Sequence, residues 1–197
     1  MAKSFKQPLL IGLLALTPLF AACERAADIS GVTEAPVAAA AKPKAAKVVK
    51  RAHQAVGGHL VSDWVTAGKT TTLKLGKYEL FIPKGAVKKP TTFRMTVLTG
   101  SVIGVSLEAF DNHGEPVTQF RVPLHLTLPY DEGDITDLEN PGKLVLANIV
   151  SADDETILDL TNASADTVTK TVKGNITHFS IWSLARVLTK ELSPGID

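Results

Sequence analysis

The chain has a single cysteine, Cys23, so no disulfide can form within it and no cysteine-based metal site can be assembled. Its five histidines (His53, His59, His113, His125 and His178) contain no pair at metal-ligand spacing. There is no glycine-rich phosphate loop, no Gly-x-Ser-x-Gly elbow and no paired acid at a recognisable strand end. These gaps argue against a substrate-turnover enzyme, imply no cofactor, and leave no small-molecule substrate to name. Aromatic residues make up only 6% of the chain, and most sit at alternating positions suited to a core. A glycan-binding surface, which needs exposed rings, would have only Trp64 and Tyr130 as platforms. No apolar run approaches the roughly 20 residues of a spanning helix. Nor is there a surplus of positive charge: the formal net charge is +1, and beyond Gly57 the balance is −4, which argues against nucleic acid as a partner.

What is present begins at the N-terminus. Lys3 and Lys6 precede the apolar run Leu9 to Leu19, which closes with Phe20-Ala21-Ala22-Cys23. This is the pattern of a cleaved export signal over residues 1–22, too short to remain as a membrane anchor. The position of Cys23 directly after Ala21-Ala22 resembles the acylated cysteine of bacterial lipoproteins, with one departure: Phe20 stands where that group usually has Leu. The resemblance implies a membrane attachment through acyl chains such as palmitate on Cys23. Each buried methylene contributes about 0.8 kcal/mol, so two or more chains hold a protein on a bilayer. Glu24, in place of Asp, implies by the same resemblance the outer membrane of a Gram-negative envelope, facing either periplasm or surface. The alternative is an ordinary secretory signal cut near Ala22, leaving a free thiol.

Residues 23–58 are dominated by Ala, Lys, Val and Pro and contain no aromatic residue. Such a segment buries little apolar surface and reads as a flexible tether. Its six basic residues against three acids could meet anionic headgroups or wall carboxylates, and Ala45 to Ala55 is compatible with a transient helix.

From His59 the pattern changes to short alternating runs punctuated by Gly, Pro, Asn and Asp. Lys77 to Ile82 and Thr91 to Leu98 form a first pair, followed by the alternation Ile103, Val105, Leu107, Ala109 and the turn Asp111-Asn112-His113-Gly114. Phe120, Val122, Leu124, Leu126 and Leu128 alternate most cleanly, with Pro123 marking an edge or a bulge. Leu144 to Val150, Thr156 to Leu160, Thr167 to Lys173 and Ile176 to Ala185 follow, the last two joined by a Gly174-Asn175 hairpin. With no helical pattern between them, roughly eight or nine such strands are enough for two packed sheets. The expected fold is all-β, an antiparallel β-sandwich over residues 59–187, followed by a tail over 188–197; only Arg186 to Leu192 could add a short helix.

Two further features read as local structure. Asn162-Ala163-Ser164 and Asn175-Ile176-Thr177 match the glycosylation pattern, but behind a bacterial-type export signal they read as turns. Asp131, Glu132, Asp134, Asp137 and Glu139 gather around Gly133; their spacing does not fit a calcium loop, so a solvated acidic loop is expected and no metal.

Leu80-Phe81-Ile82-Pro83-Lys84-Gly85-Ala86-Val87 resembles the Ile-Pro-x-Gly-Ala step of the ZU-five domain, the β-sandwich of zonula occludens scaffolds, netrin receptors and ankyrins. Thr177-His178-Phe179-Ser180-Ile181-Trp182-Ser183-Leu184-Ala185 is similar to that domain's closing strand, and Leu126-Thr127-Leu128-Pro129-Tyr130-Asp131 fits its middle strand. In the first motif Pro83 fixes φ and Gly85 permits a turn closed to other residues. The second motif implies one chemical possibility, because some relatives cut themselves between Phe and Ser of this triplet. Ser180 Oγ would attack the Phe179 carbonyl while His178 takes the hydroxyl proton, the two side chains lying on one strand face a pleat apart. The plainer expectation is that His178 and Ser180 flank a core Phe179 and catalyse nothing. The chain is then a membrane-anchored, non-enzymatic interaction or structural module contacting an envelope protein or a wall polymer. Self-cleavage at 179–180 is the first alternative and a glycan-binding sandwich the second.

Overall fold

A computed structural model describes residues 45–55, 58–134 and 140–188. Cys23 and the proposed signal, the acidic residues Asp137 and Glu139, and the tail beyond Leu188 lie outside the described residues.

The fold is an all-β antiparallel sandwich. Fourteen strands run through the described residues: β1 (Ala46–Val48), β2 (Lys50–Ala55), β3 (Leu60–Val65), β4 (Thr71–Leu75), β5 (Tyr78–Ile82), β6 (Thr91–Val97), β7 (Gly100–Val102), β8 (Gly104–Asp111), β9 (Gln119–Pro129), β10 (Leu144–Ile149), β11 (Ile157–Thr161), β12 (Ala163–Asp166), β13 (Thr171–His178) and β14 (Ile181–Val187). The larger sheet has the order β11-β10-β14-β8-β6-β3, with β1 also pairing β14. The smaller has the order β12-β13-β9-β5-β4, and β2 and β7 make a separate ribbon.

The alternation of the sequence explains the two-layer packing. Leu80 and Ile82 of β5, Leu124, Leu126 and Leu128 of β9, and Val172 and Ile176 of β13 turn inward from the smaller sheet. They meet Phe93 and Met95 of β6, Val105 and Leu107 of β8, Leu144 and Leu146 of β10, and Trp182 and Leu184 of β14. These residues form one continuous core. β10 and β14 are buried on both faces: Ala147, Ile149 and Ala185 join Val48 and Val102 in a second, smaller cluster.

The sandwich starts earlier than His59. β1 pairs with β14 from Ala46↔Val187 to Val48↔Ala185, and β2 pairs with β7. The Ala/Lys composition conceals that Val48, Val49 and Arg51 are all buried, so Ala45 to Ala55 is neither tether nor helix.

The chain also runs straight through Gly174-Asn175, which lie inside β13 opposite Leu126 and His125 of β9. Gly174 is there for close approach, because a Cβ at this position would lie 2.8 Å from Leu146 Cδ1 and 3.1 Å from the Asn162 carbonyl oxygen. Pro123 falls where the β9–β13 register slips, between the pairs Ile176↔Leu124 and His178↔Gln119. Pro83 and Gly85 lie in the turn after β5: Gly85 has φ +84°, and Ala86 N–H donates to the Pro83 carbonyl at 3.2 Å.

Candidate functional site

The His178-Phe179-Ser180 triplet lies where the chain leaves one sheet for the other. β13 of the smaller sheet ends at His178 and β14 of the larger begins at Ile181, so the two side chains do not stand a pleat apart on one strand. Phe179, partly buried, packs against the core at this crossover. Its ring packs edge-on to Phe93 at 5.3 Å and against Phe120 at 4.5 Å, between the layers. On either side of this anchor the backbone is held, with Phe179 N–H donating to the Thr118 carbonyl at 3.3 Å and Leu107 N–H to the Ser180 carbonyl at 3.1 Å.

A third residue joins the two polar side chains. Asn148, largely buried on β10, donates from Nδ2 to His178 Nε2 at 3.0 Å and accepts the Ser180 hydroxyl on Oδ1 at 2.7 Å. In this arrangement the His178 proton is on Nδ1, since Nε2 accepts. Trp182 closes over the imidazole at 5.2 Å between ring centroids, and its indole N–H points to the His178 carbonyl at 3.4 Å. Asn148 therefore stands between nucleophile and base whichever way its amide is turned. Ser180 gives its proton to an amide oxygen that is no base, and among the described residues no donor meets the Phe179 carbonyl, where an oxyanion would develop.

The acidic loop is not free at Asp131 and Glu132. Arg51, on β2, sends Nε to Glu132 Oε2 at 3.0 Å and Nη2 to the Tyr78 hydroxyl at 2.7 Å, while Nη1 meets the carbonyls of Leu98, Gly100 and Val102. Tyr78 in turn donates to Glu132 Oε2 at 2.6 Å. Burial, then the Glu132 bond, push the Tyr78 hydroxyl well above its ordinary pKa, with Arg51 pulling the other way. Asp131 pairs with Lys77. A cavity of about 370 Å³ opens beside Arg51, Tyr78 and Glu132, but all three guanidinium nitrogens are already engaged. Among the described residues no group of His, Cys, Asp and Glu is placed to hold a metal ion.

Of the two aromatic platforms, Trp64 is half exposed on β3. Tyr130 is not available: its ring is 3% exposed in the core, because the strand pattern of β9 carries it inward and its N–H is tied to the Lys170 carbonyl.

Asn148 and Arg51 are the site residues that the sequence did not offer. A lone amide inside the apolar run Leu144 to Val150 was the available signal for Asn148; Arg51, one cation among many in an Ala/Lys stretch, had none. No family model matches the chain, and no curated protein matches it.

Proposed function

We propose that this chain is an exported lipoprotein, acylated on Cys23 and held at the outer membrane of a Gram-negative envelope, whose ZU-five-like sandwich is a non-enzymatic interaction module. The observation that carries the interaction reading is the outward face of β3. This strand ends the larger sheet and, among the described residues, pairs on one side only, with β6. Leu60 is 58% and Trp64 49% exposed on it, and beside them the Arg94 guanidinium lies 5.2 Å over the Phe110 ring. An open strand edge flanked by exposed apolar side chains suits an extended segment of another envelope protein, added as a further strand.

The test is a photo-crosslinking residue at position 64, compared with one at the more exposed Val168. Adducts to an envelope protein at 64, absent at 168 and abolished by Leu60→Asp, are expected. Equal adducts at both positions, or none at 64, contradict the reading.

Self-cleavage between Phe179 and Ser180 is the second reading, favoured by the convergence of His178 and Ser180 on Asn148. Weighing against it are the same two bonds, which occupy base and nucleophile separately, and the lack of a donor at the Phe179 carbonyl among the described residues.

A further inference from the structure

We infer that a groove at the Phe120 end of the sandwich binds a small amphiphilic anion, a carboxylate or phosphate head carried on an apolar body. The groove lies between the segment joining β5 to β6 and the start of β9, and encloses about 410 Å³, within the range of roughly 300–1,000 Å³ typical of small-molecule sites. Arg121 N–H donates to the Ala86 carbonyl at 3.2 Å, tying the two walls together.

Its chemistry is divided. Val87, Val117 and Phe120 supply an apolar floor, and Phe120 is held from behind by Phe93 and Phe179. Lys88, Lys89 and Arg121 line the rim, all exposed, and none is held in an ion pair among the described residues. Asp111 is the only acid in the lining, and its carboxylate is turned to the N–H groups of His113 at 2.8 Å and Glu115 at 3.1 Å. It forms no ion pair with any of the three cations, although Lys89 is near enough to help hold the Asp111 carboxyl low.

The contrast with the cavity beside Arg51 is what makes the groove a binding site. There the cation is engaged by carbonyls, Tyr78 and Glu132; here three cations outside any ion pair line one groove, with Asp111 as the one acid beside them, on a domain whose charge beyond Gly57 is −4. Positive charge gathered over an apolar floor fits a ligand with one acidic end, oriented by the rim and buried on the floor. The inference does not depend on the lipid anchor or on the β3 edge.

The experiment is calorimetric titration of the purified chain with octyl phosphate and octanoate below their micellar thresholds, alongside inorganic phosphate and octanol. One or both amphiphiles should bind about tenfold more tightly than inorganic phosphate or octanol, and the head group that binds identifies the source. The variant Lys88→Ser/Lys89→Ser/Arg121→Ser should lose about tenfold or more of that affinity with an unchanged thermal midpoint, since all three side chains are exposed. Val117→Ser should weaken the amphiphiles and leave inorganic phosphate as it was. Binding of octanol or inorganic phosphate as tight as the amphiphiles, binding indifferent to the triple variant, or no binding of either amphiphile overturns the inference.

Discussion

The Ser180 hydroxyl donates its hydrogen bond to Asn148, not to His178: Ser180 Oγ lies 2.7 Å from Asn148 Oδ1, while the amide Nδ2 donates to His178 Nε2 at 3.0 Å. One amide on β10 thus fastens both sides of the crossover between the sheets. Asn148→Ala would remove the partner of both a half-buried imidazole nitrogen and a half-buried hydroxyl, so a loss of about 1–3 kcal/mol is expected, against about 1 kcal/mol for Ser180→Ala. Urea unfolding of the two variants checks the order, and both should remain unbroken chains.

Arg51 ties β2 to the sandwich through Glu132, Tyr78 and three carbonyls. Truncating it leaves the three carbonyls without that donor, while Glu132 keeps its bond from Tyr78 and meets water, and Arg51→Ala should cost about 1–3 kcal/mol. A chain beginning at His59 should be far less stable than one beginning at Ala45, because β1, β2 and the buried Val48 and Val49 go with the missing segment. Equal stability of the two would show residues 45–55 to be a tether after all.

Gly104 and Gly174 should differ in their response to alanine. At Gly104 the new Cβ meets the Trp182 carbonyl oxygen at 2.5 Å, a backbone atom of the neighbouring strand that cannot turn aside; at Gly174 the nearest atom, at 2.8 Å, is the end of the Leu146 side chain. Gly104→Ala should therefore lose about 1–3 kcal/mol and Gly174→Ala less, as thermal unfolding would register.

Stability should fall at both pH extremes through identifiable groups. The Tyr78 phenol ionises near about 10 when unfolded and later when folded, since burial raises it. Its contribution is complete below that pH and drains away as pH rises through the folded value. Tyr78→Phe starts from lower stability but should decline less between pH 9 and 11, about one unit either side of the phenol's ordinary pKa. At the acid end Asp111, Asp154 and Asp166 are held low by hydrogen bonds from His113, Thr156 and Thr169 respectively. Their contribution is present above about pH 3.9 and lost as pH falls through the depressed folded values.

The sheets were legible because a half-buried strand writes its burial into every second residue: β6 and β9 can be read from Phe93, Met95 and Val97 and from Leu124, Leu126 and Leu128. β1 and β2 were not, since they bury Val48, Val49 and Arg51 among alanines and lysines that carry no period. Gly174-Asn175 has the composition of a hairpin, yet that glycine answers to Leu146 and the Asn162 carbonyl, which are distant in sequence. For the site, the triplet 178–180 could be seen in the chain, but its geometry could not: the sheet-to-sheet crossover at Phe179 depends on Phe93 and Phe120, and the intervening amide comes from β10.

The most direct measurement is the intact mass, under denaturing conditions, of the chain expressed with its own signal in a Gram-negative host. A single species beginning at an acylated Cys23 and unbroken to Asp197 is the expected result. An unacylated N-terminus would contradict the anchor, and a chain ending at Phe179, restored to full length by Ser180→Ala, would contradict a non-enzymatic module.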